Sequence, residues 1–306
     1  MHLRIATRKS ALALWQAEHV AALLQSLPEV TDVKLVPLST KGDEILDRSL
    51  QKIGGKGLFI KELEIAMQAG EADLAVHSMK DVPAEMPPGF CIAAVLERAN
   101  PADALLTNDG KTLDELRQGA KIGSSSLRRQ AQLKALRPDV VIEPLRGNVN
   151  TRLAKLEAGD YDAIMLACAG VQRLGLDQKV SEIFTPDRLL PAAAQGIIGI
   201  ECLSDRAELR AVLDKLNHAP TSQVIKAERG IAKFLEANCQ SPVAAYAEIN
   251  DGKLNLQAVV ALPDGSRVLR DAVEGDPADA AALAMALGQR LVDQGAADIL
   301  AALEAG

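Results

Sequence analysis

One motif recurs through the first two-thirds of the chain: a short apolar run, a polar turn, then apolar residues at helical spacing. Leu3 to Ala6 leads through Thr7-Arg8-Lys9-Ser10 into Ala11 to Leu24. Lys121-Ile122-Gly123 leads through three serines into a helix that runs to Leu136 and stops before Pro138. Val140 to Pro144 precedes Leu153 to Ala158, and Asp162 to Ala167 precedes Gly170 to Leu174. Further strands are expected at Val33 to Leu38, Phe90 to Leu96 and Ala104 to Leu106, and further helices at Leu58 to Ala69, capped by Gly70, and at Leu113 to Gln118. Such alternation predicts an α/β chain built on largely parallel sheets. In open α/β sheets ligands bind beyond the carboxyl ends of the strands, so the turns are where chemistry is sought.

Several of these turns carry unusual side chains. Ala72 to Val76 reads as a buried strand, and the chain then turns polar at His77, Ser78, Lys80 and Asp81, with Pro83 ending the extended run. A Lys-Asp pair there is placed for chemistry; its ordinary alternative is a solvated loop pair. Arg8 falls between a strand end and a helix start, where backbone N–H groups and the helix dipole favour anions. Gly123-Ser124-Ser125-Ser126 leads into Arg128 and Arg129, two cations in a first turn where the dipole disfavours them. An anionic ligand would offset that, and a merely capped, solvated helix start is the alternative. Arg146, Arg152 and Arg173 repeat the pattern. The chain is acidic overall, with 34 basic against 41 acidic residues and a formal charge of −7. Arginines gathered at turns of an acidic protein suggest a focused cationic cleft for a small polyanion. The same balance, with aromatics at 2%, argues against nucleic acid as a partner.

Thr40 to Gly57 is rich in charge and glycine and resembles a flap; Gly54-Gly55-Lys56-Gly57 lacks the frame of a nucleotide P-loop. Arg98-Ala99-Asn100-Pro101 marks a crossover, and Pro191 to Glu201 a return. The expected domains are residues 1–97 with 198–216, then 98–197, then 217–306. In the last, Val243 to Glu248, Leu254 to Ala261 and Val268 to Val273 alternate as antiparallel strands, with a hairpin turn at Asp264-Gly265 and a helix at Ala278 to Gln294, and Ile299 to Leu303 closes the chain. Four cysteines, Cys91, Cys168, Cys202 and Cys239, show no CxxC spacing, so neither a compact zinc site nor a disulfide framework is expected. The first three lie in apolar stretches as inert thiols; Cys239 sits in a turn-like context, where an inert thiol and a modified one both stand open. No run reaches membrane-span length, and the amino terminus enters a strand with no signal-peptide core, so a cytoplasmic chain is expected.

The turns as they stand resemble the porphobilinogen deaminase (hydroxymethylbilane synthase) family. The matching motifs are Arg4 to Ser10, Gly54 to Phe59, His77 to Pro83, Ser125 to Gln130, Arg146 to Val149, Pro191 to Gly196 and Cys239-Gln240, in family order along the whole chain. The resemblance implies two type II periplasmic-binding-protein-like domains with a cleft between them, plus a small α+β carboxy-terminal domain with a three-stranded antiparallel sheet. It implies a transferase of porphyrin and haem biosynthesis. That enzyme joins four porphobilinogens into the linear tetrapyrrole hydroxymethylbilane with loss of ammonia, on a covalent dipyrromethane cofactor. By the same resemblance, Cys239 carries that cofactor as a thioether and Asp81 is the catalytic aspartate, steadying the positive charge left as ammonia departs and able to shuttle protons. Ser78, Lys80, Asp81, Ser124, Ser126, Arg128 and Arg129 bind the cofactor. Arg8, Gln16, Lys56, Phe59, Arg146, Arg152, Arg173 and Gln195 bind substrate or the growing chain. No metal, nucleic acid or membrane is implied, and a monomer is expected. One departure stands out: Ala237 and Asn238 stand where the family has two glycines, and of these only asparagine tolerates a left-handed backbone well.

Two other function classes are weighed. One is a non-catalytic anion-binding protein of the same fold, which would carry no bound pyrrole. The other is a phosphate-ester enzyme using the serine–arginine turn, for which no metal-ligand cluster or nucleophile motif is present.

Overall fold

The computed structural model describes residues 1–40, 42, 60–238 and 240–304. In chain order the strands and helices are β1 (His2–Arg8), α1 (Ala11–Gln25), β2 (Asp32–Leu38), α2 (Lys61–Gln68), β3 (Leu74–Ser78), β4 (Phe90–Val95), β5 (Asp103–Thr107), β6 (Lys121–Gly123), α3 (Leu127–Leu136), β7 (Val141–Glu143), α4 (Val149–Glu157), β8 (Ala163–Ala167), α5 (Cys168–Arg173), β9 (Glu182–Ile183), β10 (Ile198–Leu203), α6 (Ala207–Leu213), α7 (Ala219–Phe234), β11 (Val243–Asn250), β12 (Lys253–Ala261), β13 (Val268–Gly275), α8 (Ala280–Asp293) and α9 (Ala296–Glu304). The chain divides into two compact units, Met1–Ala99 with Gly196–Ser222, and Asn100–Gln195 with Gln223–Gly306.

In the first unit five strands run in the order β2-β1-β3-β10-β4. β1 is parallel to β2 and β3, whereas β10 is antiparallel to both β3 and β4. Pro37 lies in β2, an edge strand, where a missing N–H is tolerated. Ser10 caps α1, accepting a hydrogen bond from Ala13 N, and the helix buries Gln16, Ala17, Val20 and Leu24. Side chains alternate across the sheet. Ile5, Leu74, Val76, Ile198 and Ile200 pack with the α1 side, while Ala6 and Ala75 pack with Leu63, Ala66 and Met67 of α2. The sheet is therefore covered on both faces, which is why β3 reads as a continuous apolar run.

The second unit repeats this design. Its sheet runs β7-β6-β8-β5-β9, with β6 parallel to β7 and β8, and β5 antiparallel to β8 and β9. In each sheet the antiparallel strand is the first one laid down after the chain enters that segment, at Asp103 and at Ile198. Two five-stranded sheets of one topology are the paired type II arrangement that the sequence led us to expect. Ser126 caps α3 and Asn148 caps α4. The same unit holds a third sheet, β11-β12-β13, wholly antiparallel. Its apolar face packs against Ala227 and Ile231 of α7, Ala284 and Leu287 of α8, and Ile299 of α9.

One expected helix is not formed. Leu113 to Gln118 makes a single 3₁₀ turn, Leu113–Glu115. Glu115 folds back onto Thr112 N and Oγ1, and Leu116 is already extended. A segment that short gains too few hydrogen bonds to offset helix nucleation.

Candidate active site

In the first unit the site is built at the carboxyl ends of β1 and β3. After Ser78 the chain makes one 3₁₀ turn, Met79–Asp81, which carries Lys80 and Asp81. Met79 anchors it: its N–H donates to Ile197 O at 2.9 Å, and its Sδ lies where any side chain at Gly199 of β10 would sit, 2.0 Å from an ideal Cβ. Glycine at 199 thus admits the methionine that fixes the turn.

Strand alternation then distributes the polar groups. Ser78 faces α1, where Gln16 Nε2 donates to its Oγ at 2.8 Å. His77 faces the other way and is buried, its Nε2 2.7 Å from Oε2 of the wholly buried Glu201 on β10. A hollow of about 70 Å³ opens here, lined by Arg8, Ser10, Gln16, His77, Ser78 and Asp81 over an apolar floor that includes Ile60 and Val76. Four residues singled out from sequence, Arg8, Gln16, Ser78 and Asp81, are thereby brought together; Lys80 occupies the same turn.

In the second unit the centre is a carboxylate. Asp103, wholly buried in β5, accepts from Arg128 Nη1 at 2.6 Å, from Arg129 Nη2 at 2.6 Å and Nε at 3.0 Å, and from Gln195 Nε2 at 3.0 Å. Burial by itself would raise the Asp103 pKa; the charges and hydrogen bonds of the two guanidinium groups outweigh it and hold the carboxyl well below the usual range. Burial in turn lowers the Arg128 pKa against the opposing charge of Asp103. The sequence expectation has Arg128, Arg129 and Gln195 binding ligand; what it did not include is that all three meet one buried carboxylate. Two cations at 5% and 6% exposure need a counter-ion inside the protein, and Asp103 supplies it. Arg129 directs all three guanidinium nitrogens inward, the third to Met165 O. Arg128 engages Nη1 alone among the described residues, to Asp103 and to Leu190 O.

The remaining residues follow in sequence order. Ser124 Oγ accepts from Ser126 N at 3.2 Å, tightening the turn before α3. Arg146 flanks the next turn, and Arg152 Nε donates to Gly147 O at 2.8 Å, tying α4 to it. Arg173 ends α5, its pKa lowered to about 10 by burial. Lys56, Phe59 and Cys239 lie outside the described residues. On either side of position 239, Gln240 N donates to Asn238 Oδ1 at 2.8 Å and Asn238 N to Ser241 Oγ at 3.0 Å. The left-handed residue of this loop is Glu236, at φ 50°, rather than Ala237 or Asn238. Asparagine here acts through its side-chain turn, which glycine could not make.

Among the described residues, three wholly buried carboxylates escaped the sequence reading: Asp103, Glu201 and Glu228. Glu228 of α7 accepts from Ala194 N at 2.6 Å and Ala247 N at 2.7 Å, and so holds Ala194 at φ 62°. The available signal was an acid inside an apolar strand, as in Asp103-Ala104-Leu105-Leu106 and Ile198-Gly199-Ile200-Glu201.

Residues 3–211 match the model of the porphobilinogen deaminase dipyromethane cofactor binding domain, and residues 222–293 that of the porphobilinogen deaminase C-terminal domain. The chain belongs to the porphobilinogen deaminase family. A porphobilinogen deaminase of Ralstonia nicotianae is 52% identical over 99% of this chain and 92% of its own length. Among solved structures, a putative methionine-binding lipoprotein of Bacillus subtilis aligns at a TM-score of 0.44 and 13% identity, covering 72% of this chain and 92% of that one. The periplasmic aliphatic sulphonate binding protein of Escherichia coli aligns at 0.38 and 17%, covering 76% and 70%.

The family's cofactor carries acetate and propionate groups, and the donor set fits them. Taken unit by unit, Ser78 and Lys80 in the first, and Ser126 and Arg128 in the second, carry N–H or O–H donors of the kind that carboxylates accept from. No group of three or more metal-ligating side chains occurs among the described residues, and no described helix is long and apolar enough to cross a membrane.

Proposed function

We propose that this chain joins four porphobilinogens head to tail into hydroxymethylbilane, releasing ammonia, on a dipyrromethane anchored at Cys239. The observation that carries this reading is the hollow that gathers Arg8, Gln16, Ser78 and Asp81 within a chain matching the cofactor-binding domain of the family. The cofactor, when bound, supplies the pyrrole carbon to which the first unit is joined. Arg8, Arg146, Arg152 and Arg173 hold substrate carboxylates, and Lys56 and Phe59 approach from the flap. Ser78, Lys80, Ser124, Ser126 and Arg128 hold those of the cofactor; Arg129 and Gln195 keep Asp103 and Arg128 in place. Asp81 turns its carboxylate to the pyrrole N–H groups and stabilises positive charge as the amine leaves. The three sheets with their helices make three domains. The protein works as a monomer in the cytoplasm, with porphobilinogen rather than nucleic acid or a membrane as its partner.

The test is the intact mass of the purified chain beside a Cys239→Ser variant. The expected result is an increment of two porphobilinogen units less two ammonias, absent from the variant. A wild-type chain that stays unmodified after incubation with porphobilinogen overturns the reading and favours a non-catalytic anion-binding protein.

A further inference from the structure

Each condensation forms one carbon–carbon bond, breaks the bond between methylene and amine, and sheds one proton from the acceptor pyrrole's α-carbon. The departing ammonia takes that proton in the end, so no oxidant or reductant is involved. Something must carry it between. Asp81 is one candidate. The hollow holds a second candidate.

We propose that His77 is the proton carrier of this site, with Glu201 as its positioning residue. The proposal rests on the deaminase reading above. His77 is among the residues that line the hollow with Asp81 and Ser78, yet it is only 7% exposed, and Glu201 holds its ring at Nε2. Nε2 is taken by Glu201, and Nδ1 has no hydrogen-bond partner among the described residues. A neutral ring that donates from Nε2 to a carboxylate necessarily presents Nδ1 as an acceptor. A buried acid behind one nitrogen and an open lone pair on the other is the arrangement of a general base. Glu201 itself is wholly buried, and its Oε1 has no partner among the described residues. Such an orphaned carboxylate oxygen costs stability and calls for a functional reason. Charge around the ring is set by every element packed there: Glu201 on β10, Glu64 and Lys61 on α2, Arg8 at the end of β1, and Lys80 and Asp81 in the turn. Glu64 senses both members of the pair: burial and the charge of Glu201 raise its pKa, and His77 lowers it. In the step itself Nδ1 accepts the α-proton, Glu201 steadies the resulting imidazolium, and ammonia removes the proton as ammonium.

The test compares wild-type holoenzyme with His77→Gln, using porphobilinogen deuterated at the free α-carbon. The variant is expected to show the same cofactor mass increment, turnover lowered at least about 10²-fold, loss of the acid limb of the pH–rate profile, and a primary isotope effect larger than wild type's. A merely structural role would leave the isotope effect at the wild-type value. Glu201→Gln, which keeps shape and a hydrogen bond, is expected to move the same readouts in the same direction, less strongly. In wild-type protein with ¹⁵N-labelled histidine, added porphobilinogen is expected to shift the His77 Nδ1 signal. A loaded His77→Gln chain with wild-type turnover and isotope effect, or an Nδ1 signal indifferent to porphobilinogen, overturns the assignment and leaves the deaminase reading standing. A wild-type chain with no pyrrole increment removes both.

Discussion

Asp81 and Asp103 are both carboxylates beside the candidate chemistry, and their surroundings give them opposite parts. Asp81 is exposed and rims the hollow. Asp81→Ala therefore removes a charge from the site and little from the core. Turnover is expected to fall at least about 10²-fold, with unfolding free energy changed by no more than about 0.5 kcal/mol; urea denaturation beside a porphobilinogen assay checks both, and near-normal turnover would sink the assignment. Asp103 is sealed between two guanidinium groups. Asp103→Asn leaves two buried cations without a counter-ion and is expected to destabilise by about 3–5 kcal/mol. The pH dependence follows from the sign of the shift. A carboxyl held below its usual value contributes stability that is present above the unfolded pKa of about 4, and that contribution is lost as pH falls toward the depressed native value. Wild-type urea midpoints are thus expected to drop on acidification below about pH 4 more steeply than those of Asp103→Asn; equal slopes would show that the pair carries no such linkage. Sequence displayed Arg128 and Arg129 as an oddity of charge at a helix start but not their partner, because that partner is 25 and 26 residues away in another strand.

The turn that presents Asp81 owes its shape to two elements distant in sequence. β3 delivers the chain to the site, and β10 receives Met79 against Gly199. Gly199→Ala puts a methyl where the methionine sulfur lies, so either the turn or the strand must move. The expected cost is about 1–3 kcal/mol of stability, and turnover should fall further than stability alone explains, since the turn carries both Lys80 and Asp81. Thermal unfolding and single-turnover kinetics on the same preparation separate the two effects; unchanged kinetics would mean the turn is not positioned by this contact. Most element types were legible locally. Ser10, Ser126 and Asn148 cap α1, α3 and α4, and Gly70 follows α2 at φ 71°. What local sequence hid was pairing: nothing near Ile198-Gly199-Ile200-Glu201 says that it runs antiparallel between β3 and β4, or that Glu201 meets His77, 124 residues away.

At the scale of the molecule, each five-stranded sheet buries an acid in the strand that runs antiparallel to both of its neighbours. β5 carries Asp103 against two arginines, and β10 carries Glu201 against a histidine. The repeated strand–turn–helix pattern foretold two similar arrays, but not that each would borrow its antiparallel strand from the segment following a crossing, because hydrophobic periodicity carries no information on sheet order. This architecture has a consequence for folding. A chain ended after Gln195 lacks β10, so β4 has no partner left in the sheet and β3 exposes an unpaired edge. It also lacks Ile198, Ile200 and Cys202 from the core over α1. Loss of an interior strand with its buried side chains exceeds the stability of an ordinary domain, which is roughly 5–15 kcal/mol in all. The truncated chain is therefore expected to show no protected amides in β1 and β3 by hydrogen exchange, whereas those strands in the full chain exchange only through global unfolding. Native-like protection of β1 and β3 in the truncated chain would mean that the first unit folds before the chain returns, and that β10 adds the Glu201 end of the site to a sheet already formed.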